Sequence, residues 1–248
     1  MPYKPRSRYR FTLGSSLPPG VRWLILINVA VWLLNVICEL AGFGGIFGWL
    51  QLTPLLVFHR FAVWQLVTYM FLHMWSQPTH ILFNMLALWW AGTALEQTWG
   101  TRRFLKFYFT CGIGAGFFVL LASLIFGGTS ASVLGASGAV LGLLVAFGML
   151  FPNQEVIFIF FPIKAKYLVM ILAAIAVFPG IISPGNSVSV AAHVGGLVIG
   201  YLYLRLPLIR IDGMSLSRRY EKYRMDRAKR KFQVYMRKQD AKREPWVH

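Results

Sequence analysis

The chain has 248 residues, enough for one or two soluble domains, but 57% of them are hydrophobic and only 13% charged, a mixture that excludes an ordinary soluble protein. The formal net charge of +17 does not indicate nucleic acid, because Lys and Arg gather at the chain ends and in a few loops rather than along one polar face. Cys38 and Cys111 lie in apolar stretches without metal-ligand spacing and read as free, packed thiols, so no metal or other cofactor is expected.

Apolar runs close to the roughly 20 residues needed to cross a hydrocarbon core recur along the chain. Residues 1–20 form a basic N-terminal tail. The run 21–41 is too long for a cleaved secretory signal and holds no small-x-small cleavage pattern, so it reads as an uncleaved first span. Residues 42–76 are apolar but broken by Gly44, Gly45, Gly48, Pro54 and the His59–Arg60 pair. They read as a long loop lying in the membrane interface. Further spans are expected at 79–98, 104–126, 135–151, 165–181 and 188–206, all helical because lipid offers no partner to an unpaired backbone group. The expected fold is thus all-α, a polytopic membrane bundle of six transmembrane helices over 21–206. In the basic C-terminal tail, 207–248, Met225, Ala228, Phe232 and Tyr235 recur at helical spacing. That stripe suits contact with membrane lipids; the alternative is a solvated tail that only enforces topology.

Charge sets the expected orientation. The N-terminal segment through Arg22, the turn with Arg102, Arg103 and Lys106, the turn with Lys164 and Lys166, and residues 205–248 hold all of the 25 Lys and Arg except Arg60. An even number of spans puts these segments on one side, so both termini are expected to be cytoplasmic.

Polar groups inside a span cost several kcal/mol if unpaired. Here they cluster. His80 and Asn84 share a face of the second span, Ser137 begins the fourth and His193 lies near the start of the sixth, all toward the non-cytoplasmic side. Singly, each reads as a structural residue: a lone Ser bonds back to a carbonyl one turn earlier, and a lone His ties two helices together. The glycines add a second consideration. Gly135, Gly138 and Gly142 flank and follow Ser137, while Gly196 and Gly200 follow His193 on its own face. Two such small-residue faces pack backbone to backbone, close enough for a serine on one helix to reach an imidazole on the other.

The run Gly135-Ala136-Ser137-Gly138, the pair His80-x-x-x-Asn84 and the run Ala192-His193-x-x-Gly196-x-x-x-Gly200 resemble the rhomboid intramembrane serine proteases. The likeness extends from about Trp64 through Tyr201 and takes in Leu82-Phe83-Asn84-Met85-Leu86-Ala87 and Glu96. It implies a rhomboid-like fold, Ser137 as nucleophile, His193 as general base, and an oxyanion held by the Ser137 N–H with His80 and Asn84. No carboxylate behind His193 is implied, and Glu39, Glu96 and Glu155 all lie toward helix ends. The chain departs from the family pattern at Trp64-Gln65, where Trp-Arg is common, and at Leu141, where Tyr is common; a brace for His193 other than a stacked phenol is therefore expected.

His73, Ser76 and Gln77 are expected to line a cavity open to the outer aqueous side, with Pro179, Gly180, Pro184 and Gly185 loosening the loop before the sixth span. The implied partners are transmembrane protein substrates that unwind locally near the extracytoplasmic face, and the implied location is a bacterial inner membrane. Two readings stand against proteolysis: a catalytically inactive rhomboid-like protein that binds membrane helices, and a small-solute transporter lined by His and Asn. Neither a paired-aspartate site nor a His-Glu-x-x-His metal helix occurs in the chain.

Overall fold

Proline and glycine cut the chain into its elements. The computed structural model describes residues 17–158, 161–182 and 187–206, all within one compact unit that ends at Leu206. The expectations for the tails 1–16 and 207–248, and for Pro184 and Gly185, lie outside the described residues. Helix α1 (Pro19–Leu40) begins with Pro at its first turn, where a missing N–H costs no helical bond. A 3-10 helix (Gly44–Leu50), α2 (Pro54–Arg60), α3 (Gln65–Thr68) and a 3-10 turn (Tyr69–Phe71) follow. The expected loop 42–76 is therefore a string of short helices. Its prolines and glycines make it too fragmented for a span, yet the residues between them still pair their backbone groups locally.

Helix α4 (Pro78–Ala87) passes through a π turn (Leu88–Gly92) into α5 (Thr93–Trp99) without leaving helical dihedrals. Helices α6 (Thr101–Phe126), α7 (Ser137–Leu150), α8 (Ala165–Ile182) and α9 (Ser187–Arg205) complete the set among the described residues. Two findings correct the sequence reading. The fold is not purely helical, because β1 (Glu155–Phe158) and β2 (Phe161–Lys164) pair antiparallel, Val156 opposite Ile163. This connection is too short for a helix and rich in β-branched and aromatic residues that favour extended backbone. Pro179 and Gly180, expected in a loop, belong to α8. A proline so near the helix end removes few backbone bonds.

By length and composition, Pro19–Leu40, Thr101–Phe126 and Val188–Arg205 are long and apolar enough to cross a membrane, and Ser137–Leu150 and Ala165–Phe178 are shorter apolar helices. Helices α6, α7 and α9 pack on one another. Glycines set the approach: a Cβ on Gly114 would stand 2.7 Å from Ile199, one on Gly195 2.7 Å from Phe118 and one on Gly138 2.6 Å from Ala115.

Glu96 ties the first helix to this core. Its carboxylate is 2% exposed and accepts the Gly20 N–H at 2.8 Å, the Val21 N–H at 2.7 Å and the Thr101 hydroxyl at 2.6 Å. Pro18 and Pro19 carry no N–H and the Arg22 N–H reaches the Pro18 carbonyl, so the two backbone donors this helix start leaves unpaired are thereby satisfied by an anion at the positive end of the α1 dipole. Glu96→Gln keeps the shape but removes the charge and turns one acceptor into a donor facing donors. A loss on the order of 2 kcal/mol is expected in unfolding measured in mixed micelles, and an unchanged unfolding curve would refute this anchoring.

Candidate active site

Ser137 is delivered by a segment that other parts of the fold hold on both sides. Leu52 and Val133 exchange N–H···O bonds of 2.9 Å each, the Leu55 N–H donates to the Thr129 carbonyl at 2.9 Å, and the Thr53 and Ser132 hydroxyls lie 2.8 Å apart. Gln65, fully buried, accepts the Thr53 N–H on Oε1 at 3.0 Å and donates from Nε2 to the Trp49 carbonyl at 3.1 Å. The neutral amide thus anchors this region from the position where an arginine was the family expectation. It both donates and accepts, which a guanidinium cannot do.

The Gly135 N–H then bonds to the Tyr69 carbonyl at 2.9 Å, and Gly135 takes φ 124°. An L side chain rarely adopts that dihedral. A Cβ there would also stand 3.0 Å from the His80 Nε2 and 3.8 Å from the Ser137 Oγ. Gly135 therefore lies before α7 and faces an imidazole, which corrects its assignment to a helix-packing face. Ser137 is the first residue of α7, so its backbone N–H is one of the donors that the helix leaves unpaired.

Helices α7 and α9 meet through Gly138 and Gly142 on one and Gly196 and Gly200 on the other. A Cβ on Gly138 would stand 3.2 Å from the Ala192 carbonyl and one on Gly142 3.2 Å from the Gly196 carbonyl. One on Gly200 would stand 2.8 Å from the Gly142 Cα, and one on Gly196 would overlap the Gly138 carbonyl. This approach places the Ser137 Oγ 2.9 Å from the His193 Nε2. The opposite nitrogen, Nδ1, lies 2.7 Å from the Ala176 carbonyl of α8. A carbonyl only accepts, so Nδ1 carries the proton and Nε2 offers its lone pair to the serine hydroxyl. The brace for His193 is thus a backbone carbonyl, a partner that no side-chain pattern could reveal.

His80 and Asn84 lie on α4, with His80 half-buried and Asn84 buried. Asn84 donates one of its two amide hydrogens to the His80 carbonyl at 2.8 Å, leaving the other. Tyr69, absent from the sequence reading, is buried and donates its hydroxyl to the Gly112 carbonyl at 2.7 Å. His73 does not line an open cavity: it is fully buried, 5.1 Å from His80 between ring centroids, while Ser76 and Gln77 are exposed. Burial, with His80 beside it, lowers the His73 imidazole to about 3, so it is neutral at physiological pH.

The rhomboid-domain family model matches residues 60–209. The chain is 36% identical over 153 residues to "Rhomboid protein 1, mitochondrial" of Saccharomyces cerevisiae, covering 60% of this chain and 41% of that one. It is 28% identical to "Rhomboid protease AarA" of Providencia stuartii, with 87% and 83% covered, and 29% identical to "Rhomboid protease GlpG" of Yersinia pestis, with 82% and 67% covered. The chain therefore spans most of the two bacterial relatives but less than half of the yeast protein.

A hydroxyl hydrogen-bonded to an oriented neutral imidazole is an activated nucleophile, and a fluorophosphonate reports it by covalent labelling. Gly196→Ala forces α9 away from α7 and is expected to slow labelling of Ser137 by roughly a hundredfold, the cost of misplacing reacting groups by about 1 Å. At Gly45 nothing lies within 4 Å of a new Cβ, so Gly45→Ala should label like the wild type. Equal labelling rates for both variants would break the link between this contact and reactivity.

Proposed function

The chain belongs to the rhomboid family and is a multi-pass membrane protein, and from this premise we propose that it is an intramembrane serine endopeptidase working with a Ser137–His193 dyad. The observation that carries the proposal is the 2.9 Å separation of Oγ and Nε2, with Nδ1 committed to a carbonyl. In this reading the Ser137 oxygen attacks a substrate carbonyl while His193 takes its proton. The positive charge that forms on the imidazole is stabilised by the Ala176 carbonyl at Nδ1–H. The new oxyanion accepts hydrogen bonds from the Ser137 N–H at the α7 start, the Nε2–H of His80 and the free amide hydrogen of Asn84.

His193 then returns its proton to the departing amide nitrogen, leaving an acyl-serine. Water, deprotonated by the same imidazole, attacks the acyl carbon and restores the serine. In this reading α1, α4 with α5, and α6 to α9 are six spans of an inner membrane, and the distribution of Lys and Arg supports cytoplasmic termini with the dyad toward the extracytoplasmic face. Substrates are transmembrane helices of other proteins, cut where small or helix-destabilising residues let the backbone unwind.

The test is turnover of a labile transmembrane substrate by the purified chain in liposomes. Ser137→Ala should lower kcat by at least roughly a thousandfold. Asn84→Ala, which leaves the dyad intact, should lower it on the order of a hundredfold. Equal turnover by the wild type and Ser137→Ala would defeat the assignment and leave a helix-binding rhomboid-like protein in its place.

A further inference from the structure

His80 differs from His193 in one respect that bears on its proposed task. The His193 ring is fixed by the Nδ1 bond to Ala176, whereas the His80 Nδ1 is buried with no hydrogen-bond partner among the described residues. No hydrogen bond from its far nitrogen therefore holds the His80 ring with Nε2 toward Gly135 and Ser137. A ring free to turn about its last side-chain bond would offer carbon as readily as nitrogen to an oxyanion.

What stands against that ring is His73. The two imidazoles meet at 60°, edge toward face, a geometry that neutral aromatic rings favour and that leaves little room for rotation. His73 lies in a short connection without regular structure before α4, yet this connection is held from α1. Asn35 donates its amide to the His73 carbonyl at 3.4 Å, and the Trp32 indole N–H donates to the Met74 carbonyl at 3.1 Å. Trp32 and Asn35 are three residues apart and share a helix face, so one side of α1 grips two consecutive carbonyls.

We propose that His73 is a positioning residue for oxyanion binding: clamped by Trp32 and Asn35, its ring holds the His80 imidazole with Nε2 turned toward Ser137. The assignment rests on the protease reading above. It also gives α1, which contributes none of the reacting groups, a part in the rate of the reaction.

Positioning through His80 predicts a dependence that plain packing does not. In liposome turnover, His73→Ala is expected to lower kcat roughly tenfold with KM within about twofold, because the loss falls on the transition state rather than on substrate binding. His73→Phe retains a ring against His80 and should restore kcat to within about threefold of the wild type. In the His80→Ala background, where no ring remains to be positioned, adding His73→Ala should cost nothing further. If His73→Ala does not fold, Trp32→Phe keeps an aromatic ring on α1 but removes the indole N–H together with the five-membered ring that carries it. A roughly threefold loss of kcat is then expected that disappears in the His80→Ala background. A loss that persists at full size without His80, or an unchanged kcat in the single variant, overturns the positioning role. Wild-type turnover no faster than that of Ser137→Ala would instead overturn the protease reading itself.

Discussion

The site depends on two helices touching through bare backbone. Apolar helices in lipid gain nothing from hiding their side chains from each other, since the lipid tails are equally apolar, so close packing and polar contacts must hold them together. Gly138 and Gly142 of α7 meet Gly196 and Gly200 of α9 with no room for a Cβ on either side. A serine side chain is short, and only such an approach brings its oxygen to 2.9 Å from an imidazole on another helix. A residue larger than glycine along that seam would push the helices apart and draw hydroxyl and ring away from each other.

Around this seam, polar groups buried in an apolar bundle act as ties between elements that lie far apart in sequence. Glu96 caps α1 from the middle of α5, Gln65 joins the Trp49 carbonyl to Thr53, and Tyr69 reaches the Gly112 carbonyl of α6. Each removes an unpaired donor or acceptor that would otherwise cost about 1–3 kcal/mol. The ties of Gln65 and Tyr69 adjoin the segment before Ser137, whose register is set by Leu52, Leu55 and Tyr69 rather than by the residues of the segment itself. A serine placed at a helix start needs such support to keep its position, because the loop ahead of it has few bonds of its own.

The long elements were legible because a membrane span must be both apolar and about 20 residues long, and few other structures meet both demands. Within them, the rarity of polar residues made His80, Asn84, Ser137 and His193 conspicuous. The same reasoning applied to α1 would have singled out Asn28 and Asn35, seven residues apart and both buried, but neither belonged to a recognisable run. The segment 42–76 reads as a loop because its glycines and prolines rule out one long helix, and that pattern says nothing about several short ones. The hairpin of β1 and β2 is not legible for a related reason: four-residue strands leave too little sequence for a period to show.

By itself the sequence determined which long apolar stretches are helical, which faces carry glycine and which few polar side chains must find partners, because burial in an apolar medium acts on residue type and spacing alone. It suggested that Ser137 and His193 could meet, without determining the distance. The tertiary structure decided that separation, the tautomer of His193 through the Ala176 carbonyl, and the packing of His73 against His80. Each of these rests on a backbone group or a ring from another element, and every residue carries the same carbonyl, so no side-chain pattern can say which one a ring nitrogen will reach.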